Sequence, residues 1–347
     1  MRVGAASIII KLITLVAWMV MSGEARVFGA ESLTKIIIAH AANNPRVAPL
    51  WIAKEQGIFA KYGIDAEPIF IRNSSIAIGA LIAGNFQVGF NAGGAQILSA
   101  AAQGVDIKII ATFTTRLTHD LVARPGINAP KDLRGKRVGV QVLGGSLWLT
   151  AMLALEALGL EPSRDDVRIL VIGDQTVLTQ ALESGVIDAA PLDGAFSQRL
   201  KKQGFPILIE LYRANIQTAS ATAVLMKSYM QAQPVVVENV MKGLIEGLAF
   251  TLSPRHKAAV IKTIMRRLKI NNIADAEEGY DGLLKAMELK PYPTARSMQN
   301  MQRFVKTQNP AIAGVKVEDV LDARVIKKLD ESGFIDEVYR SYGVVNK

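Results

Sequence analysis

The chain has 347 residues, no cysteine and only three histidines. Without cysteine there is no disulfide, no thiolate metal site, no cysteine nucleophile and no amino-terminal lipid attachment through a lipobox. The histidines, His40, His119 and His256, are spread along the chain and form no H-x-x-x-H or similar metal spacing. Aromatic residues make up only 6% of the chain. The basic runs at Arg134–Arg137, Lys201–Lys202 and Arg266–Lys269 are not interleaved with them, as a nucleic-acid groove requires. No G-x-S-x-G elbow, P-loop or G-x-G-x-x-G occurs. No apolar run reaches the twenty or so uncharged residues of a membrane span.

Half of the residues are hydrophobic, enough for a sizeable core and too many for a disordered chain. At this length two lobes are expected. The net charge is +9, of which residues 1–30 contribute +2 (Arg2, Lys11 and Arg26 against Glu24), leaving +7 for the rest. That surplus is scattered and favours anionic small partners or anionic surfaces over nucleic acid. Residues 1–30 read as a secretory signal. Arg2 opens it, an apolar stretch from Val3 to Met21 is interrupted by Lys11, and small residues follow, with cleavage after 25 or after 30. Export to the periplasm follows from that reading.

After residue 31, strand and helix patterns alternate. Apolar β-branched runs predict strands at Lys35–Ala39, Ile64–Ile71, Phe86–Phe90 and Ile107–Phe113, with helices between them that end at glycines. The pattern restarts at His119, with strands at Arg137–Gln141, Val167–Ile172, Ala189–Leu192 and Ile207–Glu210. One more strand is expected at Thr222–Met226. Helices follow at Pro234–Thr251, His256–Leu268, Asp275–Met287, Thr294–Gln308 and Asp319–Ser332. The series implies an α/β protein with mostly parallel sheets, two βα units and a helical C-terminal tail.

Four segments carry a family resemblance. They are PLWIAKEQGIFAKYGIDAEP (Pro49–Pro68), ALIAGNFQVGF (Ala80–Phe90), INAPKDLRGKRVGVQ (Ile127–Gln141) and LTQALESGVIDAAPLDGAF (Leu178–Phe196). In order and spacing they resemble the nitrate/sulfonate/taurine-type binding proteins of ABC importers, across essentially all of the chain after the signal. The resemblance implies a type II-like two-lobed periplasmic binding protein. Lobe 1 would comprise residues 31–118 and 216–347, and lobe 2 residues 119–215. Two crossings, near Thr115–Asp120 and Tyr212–Thr222, would serve as the hinge. It further implies a monomer that captures a small anionic or heteroaromatic solute by lobe closure and delivers it to an ABC permease. No cofactor, metal or nucleic acid enters that scheme.

In open α/β sheets ligands sit beyond the carboxyl ends of the strands, near helix starts that favour anions. This directs attention to His40, Asn43 and Arg46 after the first strand, Ser74 and Ser75 after the second, and Asn91 and Gly93 after the third. In the second lobe it points to Gly145 and Ser146, and to Asp193, where the resembled family often has an acidic residue facing the cleft. Each has another reading. The serines cap a helix, Arg46 is a solvated loop residue, the glycines make turns, and Asp193 caps the helix near Ala195. The same fold has a branch that makes the thiamine pyrimidine, but that chemistry needs a cysteine-rich motif and this chain has none. An enzyme of that kind and an exported sensory module remain the alternatives.

Overall fold

A computed structural model describes residues 32–214 and 216–344. The signal expected at 1–30 lies outside them. Among the described residues ten strands form two five-stranded sheets. The first sheet contains β1 (Thr34–His40), β2 (Ile64–Phe70), β3 (Val88–Phe90), β4 (Ile107–Arg116) and β10 (Gln217–Met226), in the order β2-β1-β3-β10-β4. The second contains β5 (His119–Ala123), β6 (Arg137–Val140), β7 (Arg168–Val171), β8 (Ala189–Asp193) and β9 (Ile207–Glu210), in the order β7-β6-β8-β5-β9.

Both sheets follow one plan. Two parallel pairings lie on one side and two antiparallel pairings on the other. Four strands of each sheet therefore run one way and a single strand, β10 or β5, runs against them. These are the strands attached to the crossings. Only Leu117 and Thr118 separate β4 from β5, and a 3-10 turn at Leu211–Ala214 follows β9 before β10 begins. The sheets are thus mixed, and every strand expected from the sequence is present.

The helices are α1 (Ala48–Glu55), α2 (Ile58–Lys61), α3 (Ser74–Ile82), α4 (Gly94–Ala102), α5 (Ser146–Ala157), α6 (Gln175–Glu183) and α7 (Gly194–Lys202). They continue as α8 (Lys227–Ala232), α9 (Pro234–Leu252), α10 (Lys257–Leu268), α11 (Ile273–Ala286), α12 (Ala295–Val305), α13 (Arg324–Glu331) and α14 (Phe334–Ser341). The stretch from Ala48 to Lys61 is broken into α1 and α2, because Gly57 takes a left-handed turn at φ 69°. The helix expected over Asp319–Ser332 is reduced to a 3-10 turn and α13. The sequence reading has no counterpart of α8 or α14.

The C-terminal helices are part of the first core. Ile326, Leu329, Ile335, Val338 and Tyr339 are buried in one cluster with Trp51, Phe59, Phe90 and Leu244. Helix α9 lies directly on α1, since a Cβ at Gly247 would come within 2.3 Å of the Pro49 carbonyl oxygen. Glu246 on the same helix is buried. It accepts hydrogen bonds from Lys61 Nζ (2.8 Å), from Tyr342 Oη (2.9 Å) and from the Tyr62 hydroxyl, which ties α14's end to α2. Among the described residues no helix is long and apolar enough to cross a membrane.

Candidate functional site

A cleft of about 680 Å³ opens where the strand ends of the two sheets face one another. The first sheet supplies the loop Ala41–Asn44 and Arg46 after β1, and Phe70 and Arg72 at the end of β2. The second supplies His119 of β5, Gln141 after β6, Ser146 at the start of α5, Gln175 at the start of α6, and Phe196 and Arg199 of α7. The tail closes a third side with Arg267, Lys269, Asn272 and Asp275, around the end of α10 and the start of α11. Every wall except the tail is built from residues at or beyond strand ends, the general location of ligands in such sheets.

The deepest feature is a buried ion pair across the cleft. Arg46 Nη1 lies 2.9 Å from Asp193 Oδ1, and both side chains are almost wholly removed from water (7% and 6% exposed). Arg46 comes from a 3-10 turn (Pro45–Val47), which Asn44 starts by accepting from the Arg46 backbone N–H. Asp193 is the last residue of β8. It occupies the N-cap position of α7, but its carboxylate makes no capping bond and turns to Arg46 instead. Thr118, in the first crossing, donates to Asp193 (3.1 Å) and accepts from Arg46. Gln175 donates to the second carboxylate oxygen (2.6 Å), and its own amide oxygen accepts from the Asp193 backbone. Burial pushes the Asp193 carboxyl up, but Arg46, His119 and the two hydrogen bonds outweigh it and hold the group at about 2. Burial dominates at His119, which is lowered to about 4, so the ring is neutral at pH 7. Among the described residues Arg46 Nε and His119 Nδ1 are buried without a hydrogen-bond partner.

Other contacts join the two sides. Gln141 donates to the Arg72 carbonyl (3.1 Å), and Gln96 of α4 donates to the Gly144 carbonyl (3.2 Å). Lys202 of α7 lies 3.4 Å from Asp275 of α11, and Arg303 of α12 donates to Glu156 of α5 (2.9 Å).

The residues singled out from the sequence divide into three groups. Asn43, Arg46 and Ser146 line the cleft, with Asp193 directly behind Arg46. Gly145 is the N-cap of α5 beside Ser146. Ser74 and Gly93 instead gather round Gln96, whose amide oxygen sits 2.6 Å from where a Gly93 Cβ would be. His40, Ser75 and Asn91 do not line the cleft. The His40 ring is buried beneath Phe70 and its Nδ1 is bonded to the Ala42 carbonyl (2.8 Å). The Asn91 side chain accepts from the Ala221 backbone. The cap of α3 is Asn73, which accepts from the Ser75 and Ile76 backbones, and not the two serines. Phe70, Arg72, Gln175, Phe196, Arg199, Arg267 and Lys269 also line the cleft, though nothing in the sequence marks them for it. Among the described residues no group of three or more His, Asp or Glu is placed to hold a metal.

A Brucella abortus protein, provisionally named a binding protein, is 28% identical to this chain over 238 residues, 66% of this chain and 70% of that protein. The structure of the periplasmic aliphatic sulphonate-binding protein of Escherichia coli is similar with a TM-score of 0.69 at 16% identity, covering 85% of this chain and 100% of the other. The periplasmic nitrate-binding protein of Synechocystis PCC 6803 gives a TM-score of 0.65 at 13% identity, covering 86% and 89%. Likeness at these identities establishes the periplasmic-binding-protein fold. The family model described as NMT1/THI5 like matches residues 44–257, from the first cleft loop to the start of α10. That match takes in more than half of the chain, which therefore belongs to the NMT1/THI5-like family.

Proposed function

We propose that this protein is the periplasmic solute-binding component of an ABC importer, capturing one small molecule between its lobes and presenting it to the permease as a monomer. The carrying observation is the cleft, where strand-end loops from two sheets of identical plan converge from opposite sides. Among the described residues the chain passes between the sheets at Leu117–Thr118 and after Leu211–Ala214, which suits a hinge there, with lobe 1 at 31–118 plus 216–347 and lobe 2 at 119–215. Asn43, Arg46 and Ser146 would touch solute, with Asp193 holding Arg46 in place. Gly145 frees the helix start behind Ser146. Ser74 and Gly93 would contact solute once Gln96 moves aside. The sequence of residues 1–30 supports export by a cleaved signal. The names of the relatives and structural neighbours support binding over catalysis.

A ligand that binds only the folded protein raises its melting temperature. Thermal-shift screening with small anions, sulfonates, aromatic carboxylates and pyrimidines should identify one class that stabilises the purified protein. Ser146→Trp, which fills the cleft at the start of α5, should abolish that shift and leave unliganded melting nearly unchanged. If no class shifted melting while a hydrolase or lyase assay turned over, the protein would be an enzyme instead.

A further inference from the structure

We infer that the cleft selects a flat aromatic acid, its ring held between Phe70 and Phe196 and its carboxylate or sulfonate placed among Arg46, Arg72, Arg267 and Lys269. This inference rests on the binding-protein reading and names the class of solute.

The aromatic half of the argument begins with Phe70. It is 45% exposed, an unusual position for a large apolar ring, and it faces the cleft. The ring does not hang free. It stacks on His40 with ring centres 5.4 Å apart and planes at 27°. His40 is fixed by its bond to the Ala42 carbonyl and meets Trp51 edge-on at 5.8 Å. Burial lowers the His40 pKa, which keeps the supporting ring neutral. A rigidly backed ring with an open side loses little conformational freedom when a second ring stacks on it. Phe196 lines the same cleft from the second sheet's side, so two aromatic side chains share one cleft.

The charge of the walls supplies the other half. Arg46, Arg72, Arg199, Arg267 and Lys269 line the cleft with the carboxylates of Asp174 and Asp275, while Arg46 is already paired with Asp193 and Arg199 with Glu183. Arg72 is only loosely paired with Asp174, at 3.8 Å. Arg267 shares Glu55 with Arg266, so one carboxylate serves two guanidinium groups. Asp275 is taken by Lys202. Lys269 has no carboxylate within 4 Å among the described residues, and its backbone is left-handed, at φ 56°. A cation kept at a strained position on a cleft wall, in a cleft that Arg46 also lines, suits an anionic solute and repels a cationic one.

Isothermal titration of the full protein tests the assignment. The probes are benzoate, phthalate and benzenesulfonate, against cyclohexanecarboxylate, benzamide, benzylamine, ethanesulfonate and nitrate. At least one aromatic acid should bind about tenfold or more tightly than its ring-saturated or uncharged counterpart. Phe70→Leu should weaken that binding several-fold, as should Lys269→Gln. Both side chains are exposed, so neither change threatens the fold. Binding of an aliphatic, neutral or cationic probe that Ser146→Trp blocks, without binding of aromatic acids, would overturn the inference and leave the binding-protein reading standing. Aromatic-acid binding indifferent to both variants would overturn it too. No binding by any probe or by the wider thermal-shift panel would remove the binding-protein reading along with it.

Discussion

Arg46 and Asp193, 147 positions apart in the chain, meet at 2.9 Å in the floor of the cleft and link the two sheets where water does not reach. Such a pair repays the cost of its desolvation only while both partners and their hydrogen bonds are present. Removing one partner strands a buried charge.

Asp193→Ala should therefore destabilise the protein by about 3–5 kcal/mol in urea unfolding, because Arg46 keeps its charge and loses its partner. The double variant Arg46→Met/Asp193→Leu should recover most of the loss. A single-variant effect below about 1 kcal/mol would show that the pair opens readily in solution.

Three groups close to the first crossing contribute to the pH dependence of stability with different signs. His119 is lowered from 6.5 to about 4, so its contribution is lost as pH falls from 6.5 to 4. Asp120 is raised from 3.8 to about 6, mainly by burial, so it makes the folded state relatively more stable over much the same interval. The two oppose each other. Asp193, lowered to about 2, weakens the fold only as pH drops below its unfolded value of 3.8. Asp120→Asn should remove the compensation, and denaturant midpoints at pH 7, 5.5 and 4 should then fall more steeply with acid than in the parent. Parallel curves would contradict the opposition.

Where α9 crosses α1, added volume meets backbone. Gly247→Ala would place a Cβ 2.3 Å from the Pro49 oxygen and 2.9 Å from the Ala53 Cβ. Because no flexible side chain can yield there, the helices must part, at a cost of about 1–3 kcal/mol. Chemical unfolding measures it, and a neutral result would mean that α9 slides along α1 at little cost.

At the end of α10 the expectation reverses. Lys269 is left-handed, a conformation that glycine adopts freely, and Lys269→Gly should stabilise by about 0.5–1 kcal/mol. The same change should weaken binding of an aromatic acid. Improved stability with unchanged affinity would separate Lys269 from the site.

Strands such as Lys35–Ala39 and Ile107–Phe113 were legible because each is a short β-branched run closed by a polar residue. Strand direction was not, since the alternation in Gln217–Met226 is the same whichever way the strand runs. Helix α14 follows Gly333 with only two turns of its own, too little for periodicity to separate it from α13. In the site, Asn43, Arg46 and Ser146 were found because the strand-end rule fixes their place in the chain. Arg267 and Lys269 lie in a basic run that reads as a solvated helix end until the tail folds back over the cleft. Phe70 reads as one more apolar strand residue, and only the stacked His40 beneath it shows that its ring faces outward.

The position of β10 sets an order of assembly. It lies between β3 and β4 in the first sheet, yet it is made after the whole of the second. As the chain leaves the ribosome, residues 119–210 can close their sheet on their own, while β3 and β4 wait for a middle strand about a hundred residues later. A nascent chain stopped before Gln217 would thus carry one finished half and one gaping half.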